Sequence, residues 1–129
     1  MLDHVSFPVS NLERSMAFYT AAFAPLGITV MVRSNKENAA SQEEAGFGSE
    51  GRPYFWIREG EALRGRLHIA FVAKERKNVD AFYAAAMKAG GKDNGSPGIR
   101  AHYNPNYYAA FVLDPDGHNV EAVCRKSQG

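Results

Sequence analysis

A single cysteine, Cys124, stands in the chain, so no internal disulfide can staple it together. Net charge is equally scarce: 15 basic residues against 14 acidic ones leave +1. The basic residues are scattered, and only Lys74, Arg76 and Lys77 cluster. The pull that nucleic acid or an anionic membrane requires is therefore missing. No apolar run approaches the ~20 residues that span a bilayer. Met1-Leu2-Asp3-His4 also lacks the basic stretch and apolar run of a secretory signal. These absences lead to the expectation of a cytoplasmic protein that meets neither nucleic acid nor membrane. What is present suits one domain: 129 residues, 45% hydrophobic and 22% charged, enough to bury roughly two-thirds of the extended surface.

The chain also repeats itself. Shifted by 64 positions, Ala17, Phe18, Tyr19, Ala21, Ala22 and Gly27 fall on Ala81, Phe82, Tyr83, Ala85, Ala86 and Gly91, while His4 and Phe7 fall on His68 and Phe71. A repeat speaks to architecture before any single motif does.

Local patterns assign the same elements to both units. Leu2–Val9 alternates as a strand, with Val5, Phe7 and Val9 on one face and His4, Ser6 and Pro8 on the other. Ser10 to Glu13 has the spacing of a capping box. The helix that follows carries Leu12, Met16, Tyr19, Phe23 and Leu26 as one apolar stripe and stops at Gly27. Strands are expected at 28–33, 45–48 and 53–58, with a polar loop over 34–44. The second unit reads as a strand at 66–73, a helix at 75–89, and strands at 107–113 and 119–125 joined by the turn Asp114-Pro115-Asp116-Gly117. Asp93 to Gly98 reads as a dense turn signal. Each unit is thus βαβββ. The expected fold is α+β: two modules, about 1–59 and 66–125 within a single domain 1–129, forming a cupped mixed sheet with the helices outside.

Alternation turns His4 and His68 into the cup. Alone, each would pass for a surface or strand histidine; their equivalence under the repeat makes them candidate metal ligands. Glu121, flanked by the core-facing Val120 and Ala122, shares the cup face. A carboxylate in an apolar strand is costly unless it is paired or bound to a metal. Two imidazoles and one carboxylate suit a divalent metal that keeps open positions for a substrate. Gly51 matches Gly117 at a shift of 66, which sets Phe55 opposite Glu121 and leaves the first unit without a fourth ligand.

These segments resemble the vicinal-oxygen-chelate superfamily of glyoxalase I, bleomycin and fosfomycin resistance proteins and extradiol dioxygenases. The resemblance is carried by Leu2-Asp3-His4-Val5-Ser6-Phe7, Leu67-His68-Ile69-Ala70-Phe71, Ala17-Phe18-Tyr19 and above all Phe111 to Glu121. It implies paired βαβββ modules, a divalent metal (Fe, Zn, Ni or Mn) on His4, His68 and Glu121, and a homodimer in which modules of two chains share a site. It also implies metal-assisted chemistry on a small oxygen-chelating substrate by a lyase, dioxygenase or transferase. Glyoxalase I has a ligating carboxylate where Phe55 is aligned, so glyoxalase I activity itself is not expected. Of the dioxygenase histidine–tyrosine pair, His102 lands near the histidine, but Phe111 stands at the tyrosine. His102 is then the candidate acid or base, with Tyr108 beside it as a catalytic donor. Trp56, Arg100, Tyr103 and Tyr107 are candidate substrate contacts, with Arg52 a second candidate anion binder. The competing expectation is a metal-free, bleomycin-resistance-like binding protein.

Overall fold

In the computed structural model, which describes residues 1–34 and 43–127, the repeat is a repeat of structure. The first module runs β1 (Val5–Val9), α1 (Leu12–Phe23), a 3-10 turn (Ala24–Leu26), β2 (Thr29–Ser34), β3 (Glu44–Ser49) and β4 (Arg52–Glu59). The second runs β5 (His68–Val72), α2 (Arg76–Lys88), β6 (Lys92–Ile99), β7 (Tyr108–Leu113) and β8 (Asn119–Cys124). Each builds a four-stranded mixed sheet in the same order, β1-β4-β3-β2 and β5-β8-β7-β6. The outer pairs β1/β4 and β5/β8 are parallel and the others antiparallel. The polar loop expected over 34–44 falls largely on residues outside those described.

Burial follows the sequence alternation. Phe7 and Val9 face the core, as do Phe55 and Ile57 of β4, Phe71 of β5, and Val120, Ala122 and Cys124 of β8. The two sheets share this core rather than a hydrogen-bonded seam. Phe71 of the second module lies 4.8 Å from Phe23 and 5.6 Å from Phe55 of the first, ring centre to ring centre. The opposite face of each sheet carries no helix, and β1 and β5 are edge strands of their own sheets. No helix among the described residues is long and apolar enough to cross a membrane.

Three local expectations need correction. The N-cap of α1 is Asn11, whose side chain accepts from Arg14 N at 3.0 Å, and not Ser10. Ser10 is diverted to Asp116, to which it donates from both backbone and hydroxyl, and Glu13 pairs with Arg33 at 2.6 Å. The dense turn signal at 93–98 is in fact β6. Long-range pairing with β7, from Lys92↔Leu113 to Ile99↔Tyr108, overrides the local preference. Its glycines are absorbed as register breaks in an edge strand, the usual place for them.

The third correction concerns the repeat. Ser6 pairs with Trp56, and its counterpart Ala70 pairs with Glu121. Trp56, not Phe55, therefore stands at the place of Glu121, a shift of 65. Phe55 is 1% exposed and faces the core. Matching Gly51 to Gly117 overcounts by one because β3 and β4 slip register next to that turn, between Phe47 and Gly48.

The turn between β7 and β8 braces the modules. Buried Asp114 accepts the backbone N–H groups of Asp116 and His118 on one oxygen and the Tyr19 hydroxyl of α1 on the other. His118 Nδ1 accepts Leu67 N at 3.1 Å, and its ring sits edge-on to Phe7. Burial, and then the Asp114 carboxylate, push the Tyr19 phenol well above its usual range. The folded chain thus holds this proton more tightly than the unfolded one. The associated stability is complete below about pH 10 and is lost as pH rises beyond it. The melting temperature should fall as the pH is raised above about 10, and Tyr19→Phe should flatten that fall. At neutral pH the same variant should cost about 1–3 kcal/mol, because a buried carboxylate oxygen loses its donor. A slope identical to that of the wild type would remove Tyr19 as the cause.

Candidate metal centre

His68 opens β5 and Glu121 sits in the middle of the neighbouring β8, both on the bare face. His68 Nε2 lies 2.7 Å from Glu121 Oε1. Glu121 is 1% exposed, an expensive position for a charge. Its second oxygen, Oε2, accepts the hydroxyl of Tyr107. Burial, then the bond to Glu121, push the Tyr107 phenol up to about 12, so it donates throughout the neutral range. Around the pair lies a cavity of about 390 Å³ lined by His68, His102, Tyr103, Tyr107, Glu121 and Arg125.

The rim is an aromatic arc. The His102 ring packs tilted against Tyr103 at 4.2 Å, Tyr103 meets Tyr107 edge-on at 5.0 Å, and the Arg125 guanidinium lies over Tyr107 at 4.9 Å. The loop is pinned where Arg100 N donates to Tyr107 O at 2.7 Å. Arg100 folds back over β6 and donates to Ser96 O and Gly98 O, each at 2.8 Å. Its guanidinium lies 5.2 Å from the ring of Phe111, which is itself 6.1 Å from the His68 ring. Gly95 makes the room, since a Cβ there would come within 3.0 Å of Arg100 Nη2. No carboxylate pairs with Arg100 among the described residues.

Not every candidate residue is brought here. Tyr108, expected as a catalytic donor, points the other way: its hydroxyl donates to Asp80 of α2 at 2.6 Å. Successive strand residues face opposite sides, so Tyr107 and Tyr108 cannot both serve the site. Trp56 lies on the bare face of the first sheet, its indole over Gly46. His4 immediately precedes β1 of that sheet. Its Nδ1 is tied to Asp3 at 2.7 Å, which leaves Nε2 available; Arg52 in turn holds Asp3. The bond from His4, then the Arg52 charge, lower the Asp3 pKa. His4 lines a different cavity, of about 630 Å³, with Arg52, Tyr54 and the β5 residues Ile69 to Val72. Among the described residues, no three potential metal ligands converge within one chain. Arg125 is the lining residue that the sequence reading missed, although it continues the alternation of Asn119, Glu121 and Val123.

The donors present fit a divalent ion. Two ligand atoms at adjacent positions, with bonds of about 2.1 Å at right angles, lie about 3 Å apart. The imidazole nitrogen and carboxylate oxygen of His68 and Glu121 are at nearly that separation, on a carboxylate whose other oxygen is already satisfied.

This fold and this pairing of histidine and glutamate define a protein class. Residues 1–122 match the Glyoxalase/Bleomycin resistance protein/Dioxygenase superfamily, and the chain belongs to it. Within it, the chain is 26% identical over 128 positions to the metallothiol transferase FosB of Shouchella clausii (strain KSM-K16), covering 93% of this chain and 77% of that protein. A glyoxalase/bleomycin resistance protein from Albidiferax ferrireducens T118 superposes with a TM-score of 0.76 at 28% identity, covering 98% of this chain and 99% of the other. A glutamate-to-glutamine mutant of the fosfomycin resistance protein FosX from Listeria monocytogenes, complexed with Mn(II) and 1S,2S-dihydroxypropylphosphonic acid, shares the fold. Its TM-score is also 0.76, at 22% identity, covering 98% of this chain and 92% of the other.

Proposed function

We propose that the protein is a metal-dependent enzyme acting on a small, anionic, oxygen-chelating substrate, with each site completed across a homodimer. His68 and Glu121 of one chain and His4 of a second copy would hold the ion, which is Fe, Zn, Ni or Mn. The observation that carries this reading is Glu121: it is buried, shares 2.7 Å with His68 Nε2, and has its other oxygen fixed by Tyr107. A carboxylate is not kept in that setting for packing.

The dimer supplies what one chain lacks. Leu2 and Val72, 77% and 79% exposed, line the groove between the edge strands β1 and β5. A second copy laid against those edges covers this apolar surface and completes two equivalent sites by symmetry.

A bound divalent ion supplies Lewis-acid stabilisation of charge developing on substrate oxygen. The chain's own groups do the rest. Among the described residues Arg100 spends two of its five N–H donors, on Gly98 O and Ser96 O, and meets no carboxylate, so on the face of His68 it suits an anionic substrate group. Arg125 adds a second cation at the rim. His102 lines the same cavity and is the candidate acid or base there. Trp56 of the second copy would close the opposite wall. The similarity to a metallothiol transferase and to a fosfomycin resistance protein that holds Mn(II) supports a transferase or related addition reaction. The metal-free reading suits the site less well: its one carboxylate is already engaged, leaving nothing to attract a cationic ligand.

Elemental analysis after dialysis against Mn, Zn, Fe or Ni is the direct test. The expected result is about one ion per chain, falling to a trace in His68→Ala. An unmetallated wild type under all four conditions would sink the proposal.

A further inference from the structure

We infer that Tyr107 is a positioning residue that restricts Glu121 to a single oxygen toward the metal, and so keeps one coordination position open for substrate. The inference rests on the metal reading above and deepens it. A carboxylate can hold an ion through one oxygen or both. Here Oε1 faces His68 Nε2 at 2.7 Å, while Oε2 is taken by the Tyr107 hydroxyl. With its lone pair directed at a phenol proton, Oε2 is turned away from the ion that Oε1 and His68 would share.

Tyr107 is held for that task from several sides. Its N–H donates to Asn104 O at 3.1 Å, and its C=O accepts from Arg100 N at 2.7 Å. Tyr103 presses edge-on against its ring, and Arg125 covers it. Moving the hydroxyl off Glu121 would disturb both of these ring contacts. The adjacent Tyr108, whose hydroxyl goes to Asp80, is a control built into the sequence.

Water-proton relaxation per bound Mn(II) reads the number of open positions. Three protein donors on a six-coordinate ion leave about three for water. In Tyr107→Phe the freed Oε2 joins the ion, one water leaves, and the relaxivity per bound ion drops by about one third. Tyr108→Phe keeps the wild-type value. A wild-type relaxivity in Tyr107→Phe, with Mn(II) bound, overturns this inference alone. A wild type that binds no Mn(II) overturns the metal reading and this inference with it. A crystal structure of the Mn(II)-loaded wild type gives a check that needs no variant: one Glu121 oxygen on the ion and Tyr107 on the other is expected, and two oxygens on the ion refute it.

Discussion

Chains carrying His4→Ala and chains carrying Glu121→Ala, co-expressed, should recover metal binding that neither retains alone. Each variant by itself should lose at least ~100-fold in affinity, since removing a ligand costs more than disturbing its support. In a mixed dimer one site draws His4 from the Glu121→Ala chain and both remaining ligands from the His4→Ala chain. The other site is broken twice. With random pairing half of the dimers are mixed, so about one quarter of all sites should be whole. Equilibrium dialysis against Mn(II) at equal expression gives that fraction. The prediction follows from the placement of His4 and His68 in separate cavities, His4 just before the edge strand β1 and His68 at the start of the edge strand β5. Binding by the mixture no better than by either parent would show that the site is not shared.

Phe55→Ala should cost about 3–5 kcal/mol, the range for emptying a large aromatic from a close-packed core. Phe55 is the meeting point of both modules. Its ring lies 4.8 Å from Tyr19, 5.1 Å from Phe23, 5.5 Å from Phe7 and 5.6 Å from Phe71. Truncation therefore weakens the contact between the modules as well as the first one. Urea denaturation should show a much lower midpoint. Trp56→Ala, one residue away on the bare face, should move it far less. Equal losses at 55 and 56 would contradict the assignment of faces, and with it the equivalence of Trp56 and Glu121.

Much of the fold was legible because alternation and the repeat pointed the same way. Val5, Phe7, Leu67, Ile69 and Phe71 announce the core faces, and Gly27 caps the 3-10 turn that follows α1 in the left-handed conformation at φ 76°. What misled was local. The 93–98 stretch has the composition of a turn, and only its partner strand, distant in sequence, makes it a strand. Ser10 looked like a cap because nothing nearby in sequence says that Asp116 will claim it.

The site divided in the same way. His68 and Glu121 were readable because both sit inside regular strands, where parity settles direction. Parity also separates Tyr107 from Tyr108, yet their place at the start of a strand after an irregular loop hides the phase. Distances between strands are not written in any local pattern. The sequence could therefore place His4 and His68 on equivalent strands without showing that they line separate cavities.

The brace at Asp114 to His118 has a consequence for recognising relatives. Its side chains are spent on Tyr19, Ser10, Leu67 and their own turn, and none reaches the cavity of His68 and Glu121. A descendant that had abandoned metal chemistry would still need this segment in order to fold. The most distinctive stretch of the chain thus certifies ancestry and architecture. Under the proposed reading, whether a given relative binds a metal has to be asked of three scattered residues, His4, His68 and Glu121, two of which lie far from it in sequence.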